Sequence, residues 1–262
     1  MGDDGRADEV RQDTEIELPP ALALLWGRTD RPRSGPRPGL SLEAIIEAAV
    51  EVADADGLEG LSMAKVAQRL GFTTMSLYRY VSGKDVLLVL MSDRASRMPA
   101  EVIPESGDWR TRLETWTRAQ LDMYQSRPWL VDIKITGPPL LPSSMDWMEH
   151  GLRAVADTPL NARSRLGVIE ILTGYVRNQA RFSRDLGQRD PQQHSSTGYG
   201  QALAQLVDSR THWALVDLVG SGILDGAPDE TLQEGYLDED FDFGLKIILD
   251  GIAAMIAEHG SD

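Results

Sequence analysis

The sequence predicts an all-α fold: a small three-helix unit near the N-terminus, followed by a larger helical part. Three observations predict it. No stretch alternates apolar and polar residues convincingly with period two. Apolar stripes at three- and four-residue spacing recur from Leu42 onward. Residues suited to opening and closing helices separate one stripe from the next. No internal repeat is present.

Residues 1–17 are charged and poor in large apolar side chains, so disorder is expected there. Residues 18–27, LPPALALLWG, form an apolar island with Leu22, Leu25 and Trp26 at helical spacing. A short helix docked on the protein is the preferred reading, and a partner-binding patch is the other. Residues 28–40 are a basic linker broken by Pro and Gly. Ser41 caps a helix over about residues 41–55, with Leu42, Ile45, Ile46, Ala49, Val52 and Ala53 as its buried stripe, and Asp56-Gly57 ends it. Ser62 caps the next helix, whose stripe is Val66, Ala67 and Leu70. Gly71 sits where a left-handed helix stop costs least. Thr73 or Thr74 opens a third helix backed by Leu77 and Val81. Ser82-Gly83-Lys84-Asp85 reads as a capping box for a helix from about Lys84 to Met98, stopped by Pro99.

Further on, Asp108 caps a helix from Trp109 to about Ser126 with Trp109, Leu113, Trp116 and Met123 apolar, and Pro128 ends it. Gly137-Pro138-Pro139 and Pro142 mark a loop. Ser143 with Asp146 is a second candidate capping box, before a helix to about Ala156. Pro159 precedes a long helix from about Asn161 to Leu186, and residues 187–197 form a polar loop. Helical patterns follow at about 199–220 and, after an acidic loop, at about 239–258. The cluster Asp238-Glu239-Asp240-Asp242 suits a solvated helix start, where the dipole favours acid.

Composition bounds the function. With 262 residues, 42% hydrophobic and 26% charged, the chain holds one large or two modest globular domains. It has no cysteine, which removes disulfides and thiolate metal sites and suits a reducing compartment. The acidic N-terminus lacks a secretory apolar region, and no stretch approaches the roughly eighteen apolar residues that span a bilayer. A soluble, cytoplasmic protein without membrane attachment is expected. Four scattered histidines, His150 and His194 among them, show no metal-ligand spacing. The net charge of −15 opposes nucleic-acid binding at first sight. Its distribution matters more: residues 28–40 hold four arginines against one aspartate, and they immediately precede the three-helix unit.

Within that unit, a helix, a tight glycine turn and a second helix fronted by Thr, Met, Ser, Tyr and Arg make a helix-turn-helix pattern. Such a second helix reads DNA. Met75 suits a thymine methyl, while Thr74 and Ser76 suit base edges or phosphate oxygens. Arg79 suits either a bidentate guanine contact or a phosphate. Tyr78 and Tyr80 place an aromatic body against the fold and a hydroxyl toward the DNA backbone. Lys84 joins the amide N–H groups of the next helix start, facing a phosphate. Solvated charge and half-buried packing remain the plainer reading of Arg79, Tyr78 and Tyr80.

These residues carry a family resemblance. The stretch Leu42 to Met91 resembles the DNA-binding domain of the tetracycline-repressor (TetR) family through Ala48, Ala49, Gly57, Leu61, Ser62, Val66, Ala67, Leu70, Gly71, Ser76, Leu77, Tyr78, Tyr80, Val81, Lys84 and Leu87. The rest is similar more loosely to that family's C-terminal domain, through Phe241-Asp242-Phe243-Gly244-Leu245 and Leu249-Asp250-Gly251. The resemblance implies a DNA-binding role for Thr74, Met75, Ser76, Tyr78, Arg79, Tyr80 and Lys84. Met63 and Ala64, where family members often add contacts, are apolar and would read little. The implied organisation is an N-terminal extension with a basic arm (1–40), a helix-turn-helix domain (41–98) and a ligand-binding and dimerisation domain (99–262).

The resemblance also implies a homodimer on a near-palindromic double-stranded operator, a repressor released by a small-molecule effector. The helices at about 161–186 and 239–258 are then the dimer helices, with Gly174, Gly244 and Gly251 permitting close approach and Leu166, Ile169, Leu245, Ile248, Ile252 and Met255 supplying apolar surface. Arg28, Arg31, Arg33 and Arg37 can reach an adjacent minor groove, or simply form a solvated linker. Trp116, Met123, Tyr124, Trp129, Met145, Trp147 and Tyr175 are candidates to line a cavity for an apolar or aromatic effector, with His150, Arg177 and Gln179 orienting it. Ordinary core packing is the competing reading of each. No cofactor is expected. An activator of the same fold, or an all-α binding protein without DNA function, are the alternatives. An enzyme is disfavoured: there is no Glu-x-x-His pair, no His-Glu-x-x-His and no glycine-rich phosphate loop.

Overall fold

The computed structural model describes residues 18–28, 40–99, 107–135, 137–187, 199–224 and 235–260. The expected tail over residues 1–17, the arm residues Arg31, Arg33 and Arg37, His194 and the loop after residue 187 lie outside them. The described residues form helices only, in two compact units: residues through Arg97 with Ile135–Met145, and Met98–Lys134 with Asp146 onward.

The first unit contains α1 (Pro20–Leu25), α2 (Leu42–Gly60), α3 (Met63–Leu70), α4 (Thr74–Tyr78) and α5 (Lys84–Ala95). Ser41 and Ser62 accept the N–H groups of Ala44 (3.0 Å) and Lys65 (3.2 Å), capping α2 and α3 as the sequence suggests. Gly57 adopts φ 69°, so the regular part of α2 ends there and a last turn runs on to Gly60. The core is Ile45, Ala49, Val52, Val66, Leu77, Val81, Leu87, Leu90 and Met91, all buried. Arg69–Glu51 (2.5 Å), Lys65–Asp56 (2.7 Å) and Arg94–Glu47 (2.9 Å) tie α3 and α5 to α2 across the surface. The apolar island docks. α1 packs on α5, and the indole N–H of Trp26 donates to the Leu140 carbonyl at 2.9 Å.

Two capping boxes did not form. Gly83, in extended backbone, precedes α5 without a side-chain cap, and Ser96 closes that helix before Pro99 is reached. α7 (Pro142–Ala154) begins at Pro142, so Ser143 lies inside its first turn. The N–H of Ser143, left over at a helix start, donates to the buried carboxylate of Asp93 at 2.8 Å. A long-range carboxylate thus replaces the local cap.

The second unit contains α6 (Trp109–Ser126), a 3-10 helix (Pro128–Asp132), most of α7, α8 (Ala162–Gly187), α9 (Tyr199–Leu206), α10 (Trp213–Gly220) and α11 (Gly235–His259). Asp108 caps α6 through the Thr111 N–H at 2.8 Å, and Asn161 caps α8 through the Ser164 N–H at 2.9 Å. α8 packs on α6, α11 and the 3-10 helix. Leu113, Trp116, Val168, Leu172, Val176, Phe241, Leu245 and Leu249 form its core. Arg112 clamps α6 to the end of α7, donating to the Ala154 carbonyl (3.0 Å) and pairing with Asp157 (2.5 Å). The single helix expected at 199–220 is broken. Asp208 accepts the backbone N–H of Arg210 at 2.8 Å on its carboxylate and that of His212 at 2.7 Å on its carbonyl, a local turn that competes with helix.

Candidate functional site

α3 ends on Gly71 at φ 74° and ψ 26°, the left-handed stop expected there. The N–H of Phe72 donates back to the Ala67 carbonyl (2.9 Å) and that of Gly71 to Gln68 (3.1 Å), which closes the helix and turns the chain. Thr73 precedes α4, with its hydroxyl 3.0 Å from that of Ser76. α4 is five residues long and is anchored by Leu77, which is 0% exposed. Met75, Tyr78 and Arg79 are related by three and four residues, so they share the opposite face. All three are exposed, Met75 to 72%. Burying a methionine stabilises a fold by roughly 1.5–3 kcal/mol. α4 forgoes that, and does so beside an aromatic ring and a cation.

Thr74 and Ser76 are half-buried at the edge of this face, and Lys84 is exposed at the first residue of α5. Tyr80 differs from the rest. It is half-buried, and its hydroxyl donates to the Leu40 carbonyl at 3.1 Å, so it fixes the entry of the chain into α2. Met63 is buried and Ala64 exposed at the start of α3. Of the basic arm, Arg28 is described and exposed.

The residues nominated for an effector pocket scatter. Trp116, Trp129 and Trp147 are buried, and the first and last meet edge to face at 6.4 Å, with the Trp116 N–H donating to the Trp147 carbonyl at 2.9 Å. Met123, Tyr124 and Tyr175 are partly buried against the same core. Met145 is exposed and belongs to the first unit. The three orienting residues are engaged elsewhere. Arg177 donates to the carbonyls of Val131 (2.8 Å) and Ile133 (2.6 Å), Gln179 to the Tyr175 hydroxyl (3.3 Å), and His150 Nδ1 lies 2.8 Å from the Asp146 carbonyl. Tyr175 donates to the Phe241 carbonyl at 2.8 Å and stacks on that ring, and burial pushes its phenol above the ordinary range. A cleft of about 820 Å³ opens beside α7 and the start of α8, bounded by Met148, Leu152, Leu160, Leu166 and Arg165. None of the nominated residues lines it.

The dimer stripe read from sequence is corrected. Ile169, Leu245 and Ile252 are buried in the unit's own core, and Ile248 and Met255 pack against it. Leu166 alone of that stripe is exposed, and the other large apolar side chains left exposed on α8 and α11 are Ile171, Phe182, Phe243 and Ile247. Both stripes have helical period, and only the packing of α6 and α8 decides which faces inward. Gly244 permits a close approach within the chain and not to a second protomer, because a Cβ there would run into the chain's own Tyr175 hydroxyl. Gly174 and Gly251 face open space. One polar residue went unnoticed in the sequence. Gln120, one turn after Trp116 on the inner face of α6, is 4% exposed, and its amide nitrogen has no hydrogen-bond partner. A glutamine on the stripe of Leu113 and Trp116 was the available signal.

Residues 45–91 match the family described as bacterial regulatory proteins, tetR family, and residues 103–256 match the tetracyclin repressor-like C-terminal domain. The HTH-type transcriptional repressor DrrR1 of Streptomyces coeruleorubidus is 38% identical over 264 residues, covering 98% of this chain and 93% of the relative. The HTH-type transcriptional repressor Rv1353c of Mycobacterium tuberculosis is 28% identical over 231 residues, covering 85% and 84%. Among solved structures, the Streptomyces coelicolor TetR family protein ActR in complex with actinorhodin superposes with TM-score 0.66 at 26% identity, over 83% of this chain and 98% of that one. Its relatives are transcriptional regulators and not enzymes, and among the described residues no helix is long and apolar enough to cross a membrane. The chain belongs to the tetracycline-repressor (TetR) family of DNA-binding transcription regulators.

Proposed function

We propose that this protein is a ligand-responsive repressor that binds a near-palindromic operator as a C₂ homodimer and leaves it when a small molecule binds the second unit. The observation that carries the reading is the outward face of α4, where Met75, Tyr78 and Arg79 stand exposed above a fully buried Leu77. Met75 and Arg79 read base edges, Thr74 and Ser76 flank them, and Tyr78 and Lys84 hold phosphates. Tyr80 acts from behind by fixing Leu40, and Arg28 begins a basic arm that Arg31, Arg33 and Arg37 continue toward the minor groove. The functional division runs at residues 41–98 for DNA and 99–262 for effector and dimer.

Two further observations support the dimer and the effector. Ile171, Phe243 and Ile247 are exposed on α8 and α11, where Gly174 and Gly251 leave open space for another helix. A twofold dimer that seats both copies of α4 on one duplex must hold them about one DNA turn apart. The solved relative ActR is described with bound actinorhodin, which supports a small molecule as the effector. Met123 and the aromatic side chains Trp116, Tyr124, Trp129, Trp147 and Tyr175 are the candidate lining. Because the three tryptophans are buried, an effector enters by opening their packing, and it shifts the dimer only by its preference for that opened state.

The test is a mobility shift with duplex from upstream of the protein's own coding region, with and without actinorhodin. A retarded band that disappears on adding the compound supports the reading. Retardation that no added small molecule alters leaves a DNA-binding regulator without the sensing function.

A further inference from the structure

We infer that the side-chain amide of Gln120 is the hydrogen-bond donor that recognises a carbonyl oxygen on a flat aromatic effector. The inference rests on the reading of the second unit as a small-molecule sensor. Gln120 is 4% exposed in the middle of α6, a helix otherwise buried through Leu113, Trp116 and Leu121. Its amide nitrogen is sealed from solvent and donates to nothing. Buried polar nitrogens in folded proteins are nearly always paired, so an unpaired one calls for a partner that arrives later or a penalty accepted for function.

The surroundings set the chemistry of that partner. Gln120 is four residues from Trp116 and four from Tyr124, so the three share one face of α6. Trp116 in turn meets Trp147 edge to face. Flat indole and phenol surfaces favour a flat aromatic body, which stacks or packs edge-on against them. The amide nitrogen carries two donor hydrogens and no lone pair for acceptance, so the matching group is an acceptor: a quinone, ketone or amide carbonyl. Arg177 and Gln179, the polar residues first nominated for this task, already donate within the fold. On the face of α6 that carries Trp116 and Tyr124, Gln120 is the polar side chain whose buried nitrogen is left for a ligand.

A matched pair of probes isolates that carbonyl: anthraquinone sulfonate and anthracene sulfonate, alike except for the quinone oxygens. Their dissociation constants are measured by tryptophan quenching on the full-length protein and on Gln120→Met and Gln120→Leu, with a thermal melt of each. The wild type is expected to prefer the quinone by about tenfold, the value of one hydrogen bond, and both variants to lose that preference. Both variants are expected to melt at or above the wild-type temperature, because they remove an unpaired buried donor. An equal quinone preference in wild type and variants, or no preference in the wild type, overturns the inference while leaving the sensor reading intact. A lower melting temperature or failure to fold in both variants shows that the donors are used within the fold, and also overturns it. Binding of neither probe by the wild type counts against the sensor reading for aromatic effectors, and the inference falls with it.

Discussion

The hydroxyl of Tyr80 donates to the carbonyl of Leu40 at 3.1 Å, joining the second residue after α4 to the residue before the Ser41 cap of α2. Leu40 is itself buried, so the bond closes a partly desolvated corner. Tyr80→Phe keeps the ring and removes the donor. It is expected to destabilise the first unit by about 1 kcal/mol, the usual net value of such a bond, read as a shift of the urea midpoint. If the arm touches DNA, the same variant also weakens operator binding, and a truncation of residues 1–38 lowers its salt slope.

Gly244 and Gly251 stand seven residues apart on α11 and are expected to respond oppositely. A methyl at Gly244 meets the Tyr175 hydroxyl, so Gly244→Ala should cost about 1–3 kcal/mol by overpacking. A methyl at Gly251 meets nothing within the chain, so Gly251→Ala should be neutral or slightly stabilising in a dissociated protomer, by helix propensity. Thermal melts at low concentration check both.

The exposed Phe243 and Ile247 give the dimer its own test. Phe243→Asp or Ile247→Asp places an unpaired carboxylate on the proposed interface, and sedimentation should show a folded monomer. A dimer retained in both variants moves the interface elsewhere.

Acid should weaken the second unit through three carboxylates. Asp157 is held below the ordinary range by the Arg112 guanidinium, Asp250 by Lys246 and then Arg110, and Asp108 by the Thr111 N–H it accepts. In each case the folded state binds protons less readily than the unfolded chain. The stabilisation is therefore present above the unfolded carboxylate values and is lost as pH falls through the folded ones. The urea midpoint should be flat between roughly pH 7 and 5 and decline below about pH 4. These groups are largely exposed, so the decline is modest, and Arg112→Ala should raise the apparent pKa of Asp157 toward the ordinary range.

Local chemistry made much of this fold legible in the sequence. Ser41, Ser62, Asp108 and Gly71 act on their own neighbours within three or four residues, and each does what its type suggests. The failures are long-range. Ser143 looked like a cap, but its N–H pairs with Asp93, fifty residues earlier. The bond from the Tyr80 hydroxyl to Leu40 was hidden in the same way, because its partner lies forty residues away in sequence. On α8 and α11 the apolar residues occur on more than one face, so periodicity could not separate the core stripe of Ile169, Leu245 and Ile252 from the exposed one of Ile171, Phe243 and Ile247. The outward face of α4 was legible because a short helix with one buried leucine has only one face left to present.

The central claim is that the exposed face of α4 reads DNA. Fluorescence anisotropy with labelled duplex from upstream of the protein's own coding region tests it most directly, comparing wild type with Arg79→Ala and Met75→Ala. Operator affinity is expected to fall about tenfold or more for Arg79→Ala and less for Met75→Ala, with melting temperatures unchanged. Unchanged affinity together with a lowered melting temperature in these variants would contradict the claim, because it would make that face part of the fold and not the reader of DNA.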